Sequence, residues 1–294
     1  MSPGSPLRLA RPRRRARLAP VPPLPFPPGR TVLLPGRGEV FVRDSGGDGP
    51  VLLLVHGWMF ASDLNWGRQY APLTRAGYRV LALDLRGHGR GMRSSERFRL
   101  QDCADDAAAL LDVLGVPSAL VAGYSMGGPV AQLLARRAPH KVAGLVLCAT
   151  ALDWHDPWQR LAWRTMSGLR VLLGAFPLGV WRAIVRLQGG DERHSSWVAA
   201  ELSRSSARDL AEAGRELGRF DSSSWAGELP QPAAVVLTAR DRLVPPAKQH
   251  ELARALGVRP HVLQADHDAC SVVPEAFLGV LLEALAAVRA RAAA

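Results

Sequence analysis

Three polar residues that lie far apart in the chain, Ser125, Asp241 and His267, have the side chains that together make a serine hydroxyl nucleophilic. A serine attacks a carbonyl carbon only when a base takes its proton and a third group orients that base. Ser125 is flanked by Gly123 and Gly127, after the apolar run ALVAGY and before a helical pattern. A strand, a tight glycine-flanked turn and a helix in this order expose a nucleophile at the strand end. The pattern therefore predicts Ser125 as a nucleophile.

The acid and the base are expected at the ends of two later strands. Asp241 follows the apolar run AAVVLTA, and His267 follows PHVLQA. This gives the chain order serine, acid, histidine that is expected after such a turn. Asp266 and Asp268 flank His267, but neighbouring side chains usually point apart, so Asp241 is the predicted partner. Asp153, just beyond the run GLVLCA, is the alternative acid.

Two backbone N–H groups are predicted to stabilise the oxyanion that forms when a carbonyl is attacked. Such donors must be preorganised around the position where the charge develops. Met126 follows the nucleophile and starts the next helix, so its N–H is one candidate. The second is Trp58, with Met59 as a close alternative, because the stretch HGWM follows the run VLLLVH and Gly57 allows that loop to bend.

Other chemistries have weaker support. No GxGxxG or GK[ST] loop is present to favour a phosphate-binding interpretation of the glycine-rich turn. The sequence contains no HxxxH pair and no CxxC pair that would indicate a metal site. We therefore expect a reaction without metal or cofactor. The three cysteines are an odd number and predict reduced thiols in the cytoplasm. The sequence contains no run of 18 or more apolar residues, so no membrane span is predicted.

The positive charge is concentrated at the N-terminus. The formal net charge is +11, and residues 1–30 contain seven arginines, many prolines and no acidic residue. With little to bury, this segment is expected to be a disordered or extended tail. The alternative is a loose electrostatic hold on nucleic acid or anionic lipid. We expect no specific nucleic-acid partner, since this possibility depends on the tail alone.

From residue 31 the sequence alternates short apolar runs with amphipathic helical patterns, which is typical of a mostly parallel sheet with crossover helices. The predicted fold class is therefore α/β, with a core formed by residues 31–150 and 229–294. Eight runs are predicted strands: TVLLP, EVFVRD, VLLLVH, RVLALD, ALVAGY, GLVLCA, AAVVLTA and PHVLQA. Five helices are predicted near residues 66–76, 101–114, 126–138, 246–256 and 275–290.

The alternation stops between the sixth and seventh runs, and residues 151–228 are predicted to form a helical cap. The gap is too long for one crossover helix and contains six of the eight tryptophans. Pro177 is expected to open one cap helix, PLGVWRAIVRL. A cap over a substrate pocket is the main interpretation of residues 158–187, and an interfacial amphipathic helix in contact with lipid is the alternative.

Several motifs together make the chain resemble the α/β-hydrolase superfamily, in its serine esterase and lipase-like branch. They are HGW (56–58), DLRGHGRG (84–91), GYSMGG (123–128), RDRLVP (240–245) and DHD (266–268), in the family's order. One difference is Asp266, which occupies a position where relatives often have glycine. The resemblance implies an eight-stranded sheet flanked by helices. It also implies that His56 and His88 shape loops. From its place in the cap, His155 or His194 is a candidate for lining the pocket.

The expected activity is hydrolysis of a carboxylic ester, lactone or thioester with an apolar group, through an acyl-enzyme intermediate. The tryptophan-rich cap favours an apolar small-molecule substrate. A serine in place of an aspartate disfavours the epoxide-hydrolase and dehalogenase branches. The chain is also similar to cofactor-free haloperoxidases, in which peroxide replaces water as the acyl acceptor. A ligand receptor on the same fold is a further alternative, and peripheral membrane contact has weaker support.

Overall fold

The computed structural model describes residues 24–188 and 192–292, and its centre is an eight-stranded sheet. Each strand coincides with one of the predicted apolar runs. The strands are β1 (Gly29–Leu34), β2 (Gly38–Asp44), β3 (Val51–Val55), β4 (Arg79–Leu83), β5 (Ala119–Tyr124), β6 (Val142–Cys148), β7 (Ala233–Thr238) and β8 (His261–Leu263).

The spatial order of the strands is β1-β2-β4-β3-β5-β6-β7-β8. β2 pairs antiparallel with β1 and with β4, and every later pairing is parallel. Strands β3 to β8 therefore all end at the same edge of the sheet. β5 and β7 are buried along their entire length, which explains their apolar sequences.

Helices cover both faces of this sheet and form the long insertion after β6. They are α1 (Ser62–Arg75), α2 (Leu100–Val113), α3 (Gly127–Arg137), α4 (Pro157–Arg164), α5 (Met166–Ala175), α6 (Pro177–Gln188), α7 (Glu192–Ser203), α8 (Ala207–Leu217), α9 (Pro246–Ala255), α10 (Ala269–Val272) and α11 (Pro274–Ala292). The fold class is thus the predicted one, a mostly parallel eight-stranded sheet between helices.

The hydrophobic core has one layer on each face of the sheet. Trp66 and Tyr70 of α1 and Phe277 of α11 fill one layer and are fully buried. Leu110 of α2 and Leu134 of α3 belong to the other layer, which is also fully buried at these positions. Each layer buries several large side chains, and burying one such side chain contributes about 1.5–3 kcal/mol. The sheet is therefore a rigid support for the loops at its edge.

Helices α4 to α8 lie between β6 and β7, and we call them the helical insertion. Helix α6 begins at Pro177, as the sequence predicted. The insertion has its own small cluster, in which Leu173, Trp181 and Leu210 are buried. That residues 151–228 form a separate cap stays a prediction.

Part of the segment that was predicted to be an N-terminal tail belongs to the fold. The tail was expected to extend to residue 30, but β1 begins at Gly29 and Phe26 is packed against the protein. The Phe26 ring lies 5.6 Å from the Tyr70 ring and 5.9 Å from the Trp197 ring of α7. The remainder of the predicted tail, residues 1–23, lies outside the described residues.

Candidate active site

Ser125 lies in the tight turn between β5 and α3, at the edge where the parallel strands end. Its φ is +51°, a left-handed value that non-glycine residues rarely adopt. A Cβ at Gly123 would overlap the Gly127 carbonyl oxygen, and a Cβ at Gly127 would overlap the carbonyl oxygen of Val55. The two predicted glycines are therefore needed for the close approach of α3 to β5 and β3. Strained backbone of this kind is concentrated at functional sites.

The structure brings the three predicted side chains together. His267 Nε2 lies 3.0 Å from Ser125 Oγ, and His267 Nδ1 lies 2.8 Å from Asp241 Oδ2. Since Asp241 can only accept at this contact when ionised, Nδ1 carries the hydrogen and Nε2 is free to accept from the hydroxyl. In the sequence, Ser125 is 142 residues from His267 and Asp241 is 26 residues from His267. The three side chains meet because they follow parallel strands that end at the same edge of the sheet.

The carboxylate of Asp241 is held by several donors from its own loop and from α9. Oδ1 accepts the N–H groups of Leu243 at 2.9 Å and Val244 at 2.8 Å. Oδ2 accepts the Thr238 hydroxyl at 2.7 Å and the Gln249 amide at 3.2 Å. The Asp241 side chain is completely buried, so these contacts fix the direction of its bond to the imidazole.

The alternative acid, Asp153, is used elsewhere. Its Oδ1 lies 2.6 Å from Lys248 Nζ, and His155 Nδ1 is 3.8 Å from the same carboxylate. His155 Nδ1 is also 3.9 Å from Asp221, whose backbone pairs with that of Asp153 at the end of the helical insertion. This cluster therefore joins the two chain segments that enter and leave the insertion. The side chain of His194 lies outside the described residues.

The predicted oxyanion donors lie next to Ser125. A Cβ at Gly57 would be 3.2 Å from Ser125 Cβ, so the loop after β3 passes directly beside the serine. Within the described residues, the N–H groups of Trp58 and Met126 donate to no protein acceptor. Met59 has a φ of +66°, so the loop after β3 also contains a residue with a left-handed backbone conformation. Unused N–H groups beside a nucleophile are the arrangement that an oxyanion requires.

The side chain of Trp58 connects this loop to the helical insertion. Its Nε1 donates to the Leu210 carbonyl oxygen of α8 at 2.8 Å, and its ring lies 5.4 Å from the Trp163 ring of α4 in an edge-to-face contact. This contact could not be predicted from the sequence, because it joins residues 152 positions apart. The position of the insertion is therefore linked to the loop beside Ser125.

The two histidines that the resemblance assigned to loop shaping, His56 and His88, are buried and are not placed to act as catalytic bases. His56 Nε2 accepts the Leu85 N–H at 2.9 Å, and His88 Nδ1 contacts the Arg86 carbonyl oxygen at 2.7 Å. Burial lowers the pKa of His56 and lowers the pKa of His88 to about 3, helped by the neighbouring His56. Both rings are therefore neutral, and they support the loop after β4.

Beside them, Asp84 is buried but charged. Burial opposes its ionisation, yet the Arg90 guanidinium and the Ser62 hydroxyl together hold the pKa of Asp84 below its usual value. Arg90 Nε lies 3.0 Å from Asp84 Oδ2, and Arg90 also reaches Asp63 at 2.8 Å. This network fixes the segment DLRGHGRG against α1.

Four further residues hold the loops of the site, and their contacts were not predicted from the sequence. Tyr124 donates its hydroxyl to the His267 carbonyl oxygen at 2.6 Å. Asn65 accepts the Gly57 N–H at 2.7 Å and donates to Cys270 Sγ at 3.0 Å, which links the loop after β3 to the histidine loop. The other two are Gln249, described above, and Asp266.

Asp266 has a defined role where a glycine was expected. Its Oδ1 accepts the His267 N–H at 2.8 Å and the Arg242 N–H at 3.1 Å. The bond from the His267 N–H, with a smaller contribution from Arg242, lowers the pKa of Asp266. Asp266 therefore connects the histidine loop to the loop that carries Asp241.

The described residues contain no disulfide bond, no cluster of metal ligands and no helix that could span a membrane. Cys103, Cys148 and Cys270 are free and buried, and burial raises the pKa of Cys270 to about 11, which keeps it a thiol. In residues 24–188 and 192–292, no group of three or more His, Cys, Asp or Glu side chains is placed to hold a metal ion. No helix in these ranges is both long enough and apolar enough to cross a bilayer.

Comparison with known proteins shows the family. A family model described as "alpha/beta hydrolase fold" matches residues 50–169. A protein described as "Putative carbamate hydrolase RutD" of Variovorax paradoxus is 31% identical over 259 residues, which is 83% of this chain and 94% of that protein. The chain belongs to the α/β-hydrolase fold family.

Other similarities agree with this family. The crystal structure of a hydrolase from Pseudomonas aeruginosa matches with a TM-score of 0.74 and 26% identity, over 87% of this chain and 98% of that one. A "Bifunctional esterase/perhydrolase DCH" of Acinetobacter calcoaceticus is 40% identical over 111 residues, or 37% of this chain. The matched region spans 28–40% of the length of several curated relatives that are 39–44% identical.

Proposed function

We propose that the protein is a serine hydrolase that cleaves a carboxylic ester, lactone or thioester carrying an apolar group. The observation that carries this proposal is the continuous hydrogen-bonded series from Ser125 Oγ through His267 to Asp241, with contacts of 3.0 and 2.8 Å. Membership of the α/β-hydrolase family and an esterase among the relatives support it.

In the first half-reaction, Ser125 Oγ attacks the carbonyl carbon while its proton passes to His267 Nε2. The carbonyl oxygen becomes an oxyanion and accepts the N–H groups of Trp58 and Met126, with Met59 as the alternative to Trp58. The bond from carbon to the leaving oxygen or sulfur then breaks. His267 returns the proton to the leaving group, and the acyl group stays on Ser125 as an ester.

In the second half-reaction, water attacks the acyl-enzyme and gives a proton to His267. The same N–H groups hold the second oxyanion, and its collapse releases the carboxylic acid and restores the Ser125 hydroxyl. Asp241 keeps Nδ1 protonated throughout and stabilises the imidazolium that forms in each step. No other atom is consumed, so the overall reaction is ester plus water to acid plus alcohol.

The helical insertion supports an apolar substrate. Trp58 of the loop beside the site, Trp163 of α4 and Met166 of α5 meet at Gly214 of α8. Apolar and aromatic side chains with few polar groups are typical of small-molecule sites. We propose that the insertion acts as a cap. The three free, buried cysteines support a reducing compartment such as the cytoplasm.

Substitution of the nucleophile tests the proposal. Ser125→Ala is expected to lower kcat/KM for p-nitrophenyl butyrate by about 10⁴-fold or more and to abolish labelling by a fluorophosphonate probe. Its thermal midpoint should stay close to that of the wild type. Ser203→Ala is the matched control, because among the described residues the Ser203 hydroxyl bonds only to the Ala200 carbonyl of its own helix. Retained hydrolysis in Ser125→Ala would refute the proposal, and labelling without turnover in the wild type would favour a receptor.

A second candidate activity is perhydrolysis, which the esterase/perhydrolase relative favours. Hydrogen peroxide would replace water in the second half-reaction and release a peracid from the same acyl-enzyme. Product analysis with and without peroxide separates the two, and Ser125→Ala should remove both products. Including an alkyl carbamate among the substrates compares this chain with its carbamate-hydrolase relative.

A further inference from the structure

The outer side of α4 and α5 exposes large apolar side chains. Leu161 of α4 is 64% exposed, and on or next to α5 Val171 is 71%, Leu172 50% and Phe176 68% exposed. We call these four residues the apolar outer surface. Single exposed apolar residues are ordinary, but several on consecutive helices indicate a contact surface.

The same segment carries charge of one sign. Residues 157–188 contain five arginines and no aspartate or glutamate. Arg160, Arg164 and Arg170 are exposed, and within the described part of the chain they form no ion pair. Arg215 of α8 adds a further cation, since it donates to the Ser167 hydroxyl of α5 at 2.7 Å. The apolar outer surface is therefore bordered by arginines that have no acidic partner in residues 24–188 and 192–292.

Three occupants are possible for an apolar surface with this border, and the charges favour one of them. A second copy of the chain would place arginines against arginines. An acidic protein could also pair with the arginines, but the exposed positions of 171–176 are Val, Leu, Gly, Ala and Phe, a continuous apolar stretch that fits acyl chains. An anionic bilayer offers lipid phosphates to the arginines and acyl chains to the apolar residues.

We propose that α4 and α5 dock the protein on an anionic lipid bilayer. Val171, Leu172 and Phe176 enter the boundary between headgroups and acyl chains, and the arginines bind lipid phosphates. Trp163 of α4 contacts Trp58 beside Ser125, so docking would hold the proposed active site close to the lipid surface. This docking goes beyond the proposed hydrolysis, and its test measures binding alone.

The experiment is co-sedimentation of the full-length protein with vesicles of phosphatidylcholine, with or without phosphatidylglycerol. We expect binding to the anionic vesicles to be at least about tenfold tighter and to weaken with added salt. The variant Val171→Ser/Phe176→Ser should bind the anionic vesicles at least about tenfold more weakly. The matched control is Leu33→Ser/Val262→Ser on the sheet, where the wild-type side chains are 65% and 47% exposed, and it should bind as the wild type does.

The tail provides a strict alternative, because residues 1–23 contain six arginines that are retained in both variants. Undiminished vesicle binding by Val171→Ser/Phe176→Ser would overturn the proposal and assign the binding to the tail. Equal loss in both double variants would also overturn it. Absence of wild-type binding would overturn it as well and favour an acidic protein partner. A thermal midpoint close to that of the wild type in both variants verifies their folding.

Discussion

At the scale of single residues, Asp241 and Asp153 differ in what they contact although both follow a strand end. Asp241 contacts His267, while Asp153 contacts Lys248 at 2.6 Å. The sequence left both aspartates open as acids. The contacts favour Asp241, since only an acceptor at His267 Nδ1 leaves Nε2 free to take the serine proton.

Exchange of each aspartate for asparagine distinguishes the two acids. Asp241→Asn should lower kcat by about 10³–10⁴-fold, because an amide that donates to Nδ1 stabilises the wrong imidazole tautomer. Asp153→Asn should lower it by less than about threefold, since it removes one charge from a contact with Lys248. Steady-state hydrolysis of a soluble ester measures both. A larger loss in Asp153→Asn would assign the acid to Asp153 instead.

At the scale of elements, the turn between β5 and α3 depends on the absence of side chains. Gly127→Ala should destabilise the protein by about 3 kcal/mol or more, because the added Cβ would overlap the Val55 carbonyl oxygen. Gly279→Ala on the exposed side of α11 is the control, because nothing lies within 4 Å of its added Cβ. That control should change stability by about 1 kcal/mol or less, towards stabilisation. Urea unfolding gives both values, and equal stabilities would show that the turn relaxes easily.

The link between the helical insertion and the loop after β3 is a second property of elements. Trp58→Phe keeps an aromatic ring beside Trp163 but removes the donor to the Leu210 carbonyl oxygen. We expect kcat to fall roughly fivefold with little change in KM, because the loop that offers the oxyanion donor loses about 1 kcal/mol of support. Trp225→Phe is the control, since its Nε1 donates to the Asp221 carbonyl oxygen at 3.2 Å, in the segment after the insertion. An equal loss of kcat in both variants would indicate general destabilisation.

At the scale of the whole molecule, the eight strands and the meeting of the candidate site residues at one edge of the sheet were expected from the sequence, whereas the spatial order of the strands was not. Apolar runs predict buried parallel strands, and parallel strands end at one edge, so Ser125, Asp241 and His267 were expected to meet. The residues that were missed make contacts over long separations, such as Asn65 with Cys270, 205 positions apart. The folded start of the chain was missed for the same reason, because Phe26 packs on Trp197 of the insertion. Such contacts leave no periodic pattern in a single sequence.

The buried histidine pair also gives the whole molecule a defined acid sensitivity. His88 has a pKa of about 3 in the folded protein, because burial disfavours its charged form, and an ordinary value of 6.5 when unfolded. Between these two pH values the unfolded chain binds the proton and the folded chain does not, so stability falls as the pH falls. His88 alone contributes up to about 1.4 kcal/mol per pH unit across this interval. His56 acts in the same direction, since burial lowers its pKa too.

Urea unfolding between pH 7 and about pH 4.5 checks this sensitivity. His88→Gln should be less stable than the wild type at pH 7, because it replaces a buried ring that lies 5.3 Å from the His56 ring and 5.9 Å from the Phe98 ring. Its free energy of unfolding should nevertheless decrease less steeply with acid, since one titrating group has been removed. His250→Gln is the control, because His250 is exposed in α9, and it should keep the wild-type slope. Asp84 affects the pH dependence of stability only below its ordinary pKa of 3.8, which is outside this pH range. A wild-type slope in His88→Gln would therefore mean that His88 accepts its proton without unfolding of the protein.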